Sequence, residues 1–334
     1  MSRQVPGANG LFLWHMSSIY RYLPRYLLGF ACALLWGCLP DNTLPFSTDT
    51  PKATEQSPWA GITLTPQLAS TVTPKLPSAT ARLQPGRSPS PSPTPTALEC
   101  WLEGGQMEKG SVSSDLLPLA LEFRVYLPPC YAELSGQRFP ALYLIHGQNY
   151  NDDQWDRLGV DEAADRLIAQ GQIPPLILVM PRDRSWEQPT VDRFGEALMR
   201  DLLPWIDENY RTHPERRYRA IGGLSRGAGW ALHLGFSQWE SFGGIGMHSL
   251  PVFWTDLPYL RDWIDAIPRD RLPRIYMDLG DKDRPQISKS ARWFEELLTE
   301  KGIPHEWHLY PGYHEEVYWE SHVEEYLLWY SRQW

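Results

Sequence analysis

The chain has 334 residues, with 31 Lys and Arg against 40 Asp and Glu for a formal charge of −9. A hydrophobic content of 42% and a charged content of 21% allow a buried core and exclude a wholly disordered chain. The acidic balance argues against nucleic acid as the partner, and four Cys with no C-x-x-C pair argue against a zinc ribbon or a disulfide-built scaffold.

Residues 1–38 carry Arg3, Arg21 and Arg25 and no acid, and they close on an uncharged run of eleven residues, 26–36. A basic region followed by a short apolar run is the layout of a secretory signal peptide, and such a run is too short for a hydrocarbon core about 30 Å thick. Leu35-Trp36-Gly37-Cys38 resembles the lipobox of bacterial lipoproteins, with Trp36 where a small or aliphatic residue is usual. Cys38 is therefore the expected lipidation site. The expected location is the outer face of a bacterial membrane, with membrane contact through the lipidated N-terminus only. Residues 39–99 contain 12 Pro, 7 Ser and 11 Thr in 61 positions. That composition offers too little apolar surface to offset chain entropy and is expected to form an unpacked tether.

Residues 100–334 fit one α/β domain. Its first strand is expected at 121–127, alternating as if half exposed, followed by unbroken apolar strands at 141–145 and 176–180. Between these two, Val160, Ala163, Ala164, Leu167 and Ile168 recur at helical spacing and stop at Gly171. Strand, helix, strand in that order implies a right-handed crossover and a parallel sheet. The alternation continues with a helix at 194–210, a strand at 218–221, a helix from Arg226, and a strand at 242–247. A strand at 274–279, a helix at 288–301, a strand at 306–310 and a last helix ending near Trp329 complete it. If residues 1–38 are an export signal, Cys100 and Cys130 are the two Cys left for the exported domain, and a disulfide between them is expected.

In an open α/β sheet, chemistry collects where strands end. Gly223-Leu224-Ser225-Arg226-Gly227 follows the central strand and matches G-x-S-x-G, a sharp strand-to-helix turn that presents a serine at the positive end of a helix. Ser225 is the candidate nucleophile. Among nine His, His314 lies directly after the last strand, and His248 is its competitor after an earlier one. The chain order serine, acid, histidine favours His314 as base. The orienting acid is expected from Asp278, Asp281 and Asp283, of which Asp283 stands clear of the Gly280 turn, with Asp281 second. Backbone N–H groups of Gln148, after His146-Gly147, and of Arg226 are expected to form the oxyanion hole.

Together, Tyr126-Leu-Pro-Pro129, Leu142-Tyr-Leu-Ile-His-Gly147, Gly223-Leu-Ser-Arg-Gly227, Gly280-Asp-Lys-Asp283 and Pro311-Gly-Tyr-His314 resemble the esterase D-like putative esterase family of α/β-hydrolases over about residues 115–330. Its members include feruloyl and acetyl-xylan esterases, enterochelin esterase, S-formylglutathione hydrolase and mycolyltransferases. The resemblance implies an α/β-hydrolase fold, Ser225, Asp283 and His314 as the triad, and no metal or organic cofactor. Where the family commonly reads G-x-S-M-G-G, this chain has Arg226 and Ala228. The Arg226 cation either favours acidic substrates or pairs with a nearby carboxylate, the second being preferred. Trp230, Trp254 and Trp319 are candidate stacking surfaces for a sugar or feruloyl ring. The expected partner is a small-molecule or polysaccharide ester, cleaved through an acyl-serine intermediate. The alternatives are acyl transfer of the mycolyltransferase type and a non-catalytic carbohydrate-binding surface protein.

Overall fold

The computed structural model describes residues 99–334; the expected signal, Cys38 and nearly all of the expected tether lie outside the described residues. Eight strands form one sheet: β1 Gln106–Val112, β2 Leu121–Leu127, β3 Ala141–Ile145, β4 Ile177–Pro181, β5 Arg219–Leu224, β6 Gly244–His248, β7 Arg274–Gly280 and β8 Glu306–Tyr310. Their order across the sheet is β1-β2-β4-β3-β5-β6-β7-β8. The β1–β2 hairpin joins antiparallel, β2 also runs antiparallel to β4, and every remaining pair is parallel. This is the α/β-hydrolase fold.

The helices are α1 Gln154–Arg157, α2 Val160–Ala169, α3 Phe194–Ala197, α4 Leu203–Asn209, α5 Arg226–Ser237, α6 Leu260–Ala266, α7 Pro285–Glu300, α8 Glu316–Glu320 and α9 Val323–Ser331. They cover both faces, and the period-two alternation of the strands divides the core accordingly. Ala141, Tyr143 and Ile145 of β3 pack with Phe194, Leu198, Trp230 and Phe294 on one face. Leu142 and Leu144 pack with Trp155, Leu167, Tyr326 and Leu327 on the other.

Three elements differ from the sequence expectation. Polar β1 was not anticipated: only Val112 of its residues is buried, and the strand is held at the sheet edge by its register with β2. For the same reason β2, flanked by β1 and β4, is largely buried rather than half exposed. The helix expected over 194–210 is interrupted by a π-turn at Leu198–Leu202. Pro204 lies just beyond it and has no N–H to return to the preceding turn.

Cys100 and Cys130 form the expected disulfide, with Cα atoms 5.0 Å apart. It ties the 3-10 turn at Glu99–Leu102 to the turn after β2. Among the described residues, no helix is long and apolar enough to cross a membrane. All parallel strands end on one edge of the sheet, and the segments that follow β5, β7 and β8 carry Ser225, Asp283 and His314.

Candidate active site

β5 delivers Ser225 into the turn before α5 with φ 51° and ψ −124°. For a residue with a Cβ this is strained backbone, of the kind that costs about 1–3 kcal/mol and survives only where the surroundings over-determine it. The surroundings do so here. The Ser225 N–H donates to the His248 carbonyl at 2.8 Å, which fastens the turn to β6. A Cβ on Gly223 would lie 2.3 Å from the Gly227 carbonyl carbon, and one on Gly227 would lie 2.0 Å from the Ile145 oxygen. Strand, turn and helix therefore meet closer than any residue with a side chain permits.

His314 comes from the loop after β8. Its Nε2 stands 2.8 Å from Ser225 Oγ, and its Nδ1 lies 2.8 and 3.1 Å from the two carboxylate oxygens of Asp283. Three side chains separated by 89 and 31 positions thus form one continuous hydrogen-bonded line. Asp283 is buried and also accepts the Arg284 N–H at 2.6 Å, so one carboxylate is held by backbone and imidazole together. With Nδ1 donating to Asp283, the neutral ring presents Nε2 as an acceptor to the serine hydroxyl.

The other candidate acids and bases have different work. Asp281 accepts the Gly312 N–H at 2.9 Å, bracing the loop that carries His314 without touching the imidazole. Asp278 is fully buried in β7 and accepts from His248 Nδ1 at 2.6 Å and from the hydroxyls of Tyr318 and Tyr326. His248 is itself fully buried, with Nε2 3.1 Å from the Tyr330 hydroxyl. It therefore takes part in the site through its carbonyl. Burial raises Tyr326 and Tyr330 well above the usual phenol range, so these two hydroxyls stay protonated.

The loop after β3 runs beside the serine: a Cβ on Gly147 would lie 3.7 Å from Ser225 Cβ, and Gln148 follows directly. Gln154, which sequence reasoning did not single out, fixes this loop by accepting the Gly147 N–H at 2.8 Å. The Arg226 N–H opens α5 on the other side of Ser225, where the helix leaves its first N–H groups unpaired. Its side chain turns inward, with Nε 2.7 Å from Asp183 Oδ2 and Nη2 2.8 Å from Asp192 Oδ2. Pairing, not an exposed cation, is thus the outcome for Arg226. Asp183 and Asp192 were also missed, although Asp183 stands just after β4, where strand-end reasoning would have flagged it.

The tryptophan expectations need correction. Trp230 is 1% exposed and donates its indole N–H to Asp183 at 2.8 Å, so it belongs to the scaffold under the turn. Trp319 is 3% exposed; its ring meets the His314 imidazole edge-to-face at 5.0 Å between centroids, and its N–H donates to Ser249. Neither offers a ring face to solvent. Only Trp254, 68% exposed in the loop after β6, fits the expectation, and Trp186 after β4 is equally exposed.

The family described as "Putative esterase" matches residues 114–330. The chain belongs to that family. An endo-1,4-beta-xylanase/feruloyl esterase of Xylanibacter ruminicola is 31% identical over 200 residues, covering 54% of this chain and 26% of that protein. An esterase of Mycobacterium tuberculosis is 30% identical over 242 residues, covering 57% of this chain and 51% of the relative. This member therefore spans about half or less of the length of these curated relatives. Among solved structures, a ferulic acid esterase superposes with a TM-score of 0.61 at 23% identity, covering 69% of this chain and 98% of the other. A fluorophosphonate-binding serine hydrolase of Staphylococcus aureus gives 0.58 at 15% identity, covering 69% and 99%. These similarities support the α/β-hydrolase fold.

Proposed function

We propose that this chain hydrolyses carboxylic esters through an acyl-serine intermediate. The reading is carried by the unbroken line from Ser225 Oγ through His314 to Asp283, with both outer contacts at 2.8 Å. Ser225 Oγ attacks the ester carbonyl while its proton passes to His314 Nε2, and Asp283 stabilises the imidazolium that forms. The tetrahedral oxyanion is held by the N–H groups of Gln148 and Arg226. Collapse breaks the bond to the alcohol, which leaves with the proton from His314. Water, deprotonated by the same imidazole, then attacks acyl-Ser225 and releases the acid.

Similarity to feruloyl and ferulic acid esterases favours an aromatic acyl group such as feruloyl on a carbohydrate alcohol, and the exposed rings of Trp186, Trp254 and Tyr313 on the strand-end loops suit a planar ligand. The basic N-terminus and the lipobox-like Cys38 add export and lipid anchoring to the proposal. Mass spectrometry of the membrane-bound protein should find a diacylglyceryl group on Cys38, and Cys38→Ala should release the protein from the membrane. Activity is tested with a chromogenic short-acyl ester and a fluorophosphonate probe. The wild type should turn over the ester and take the label, and Ser225→Ala should do neither. Hydrolysis retained in that variant would overturn the reading. A panel of feruloyl, acetyl and longer acyl esters then ranks the acyl group by kcat/KM.

A further inference from the structure

Beneath the candidate site, both oxyanion-hole residues lead to one buried residue, Asp183: Arg226 to its carboxylate and the loop before Gln148 to its backbone N–H. The Asp183 backbone N–H donates to His146 Nε2 at 2.9 Å, and the other ring nitrogen, Nδ1, donates to the Gly147 carbonyl at 2.7 Å, next to Gln148. An Nε2 that accepts an amide N–H belongs to a neutral ring, and burial lowers His146 below the ordinary histidine range to the same effect. From its side chain, Asp183 Oδ2 accepts Arg226 Nε at 2.7 Å and Trp230 Nε1 at 2.8 Å, while Oδ1 accepts the Ser185 N–H at 2.9 Å. Arg226 is further pinned through Nη2 to Asp192 and to the Glu187 carbonyl, at 2.8 and 2.7 Å. The side chains of Arg226, Asp183 and Asp192 are 5%, 2% and 3% exposed.

We infer that Asp183 and Arg226 form a strut that sets the separation of the two N–H groups, of Gln148 and Arg226, which receive the oxyanion. The inference rests on the esterase reading for its catalytic meaning, and Asp183 acts in it as a positioning residue. A buried ion cluster is not required for stability, since well-packed apolar replacements of similar volume are often neutral or stabilising. What a guanidinium locked between fixed carboxylates supplies is direction. It fixes the first residue of α5, to whose N–H the esterase reading assigns the oxyanion, relative to the loop after β3. A shift of about 1 Å in such a donor can cost about 100-fold in rate.

The test compares wild type, Asp183→Asn, Arg226→Lys and the charge-balanced pair Arg226→Met with Asp192→Asn, each normalised to the sites titrated by a fluorophosphonate. On a nitrophenyl ester, kcat per titrated site should fall about 10- to 100-fold while KM stays within about threefold. A trifluoromethyl ketone, which mimics the tetrahedral oxyanion, should bind more weakly by the same factor, and an unreactive amide analogue should bind unchanged. Variants with kcat within twofold of wild type, or with both ligands weakened alike, overturn the inference. Hydrogen exchange gives an arm that does not depend on turnover. In Asp183→Asn, amides 147–148 and 226–227 should exchange faster together; unchanged exchange at both overturns the strut. Absence of turnover in the wild type would count against the esterase reading and leave this arm to decide the strut.

Discussion

Each carboxylate around Ser225 has a different partner, and the partner decides what its loss would do. Asp283 faces the imidazole, so Asp283→Asn should keep the fold and lower kcat by about 10⁴-fold, because the amide stabilises the wrong tautomer and no longer stabilises the imidazolium. Steady-state kinetics with site titration checks this, and a loss below tenfold would transfer the role elsewhere. Asp281 braces Gly312, so Asp281→Asn should cost far less in the same assay. Asp192 is different again. Burial, then the neighbouring Asp183 charge, push its carboxyl up to about 6, against a pull in the other direction from Arg226. Its folded-state value lies above the unfolded one, so the native state binds the extra proton. Its contribution to stability is present at low pH and is lost as pH rises through about 6. Urea midpoints of wild type and Asp192→Asn, measured from pH 4 to pH 8, should therefore converge at the acid end and part as pH rises, with only the wild type carrying this loss.

At the scale of elements, the site depends on how closely β3, β5 and α5 approach. Gly227 has the Ile145 oxygen where a side chain would begin, and the obstruction is backbone that cannot rotate away. Gly227→Ala should destabilise the fold by about 3 kcal/mol and separate Ser225 from His314. A urea melt and fluorophosphonate labelling read the two effects, and an unchanged labelling rate would contradict the close-packing account. The same logic holds across the sheet, where Tyr330 of α9 brings its hydroxyl against β5 and β6. A Cβ on Gly222 or Gly246 would stand 1.8 Å from its hydroxyl. Those glycines let Tyr330 reach His248, which in turn holds the serine turn by its carbonyl. The strained serine conformation is thus sustained from both faces of the sheet.

For the whole molecule, the Cys100–Cys130 bridge closes a loop of 30 positions at the edge of the sheet, far along the strand order from β5. Cys130→Ser should lower unfolding free energy by about 3–4 kcal/mol in the chain-entropy view, measured as a shifted denaturant midpoint, with turnover by the folded enzyme unchanged. Lost turnover at full folding would mean that the bridge also shapes the site. The sequence alone was sufficient for the α/β class and the bridge, and it picked out Ser225, Asp283 and His314, which the fold brings within hydrogen-bond reach of one another. Apolar strand runs, a G-x-S-x-G turn and residues just after strands are local signals, and chain order ranks them. It was silent on polar β1, whose strand state comes only from pairing with β2. It misjudged Trp230 and Trp319, because a tryptophan near a motif in the chain says nothing about which way its ring faces. It could not separate the roles of Asp183, Asp192, Asp278 and Asp281, since a carboxylate takes its chemistry from what lies within 3 Å. Those neighbours arrive from strands distant along the chain, and only folding brings them together.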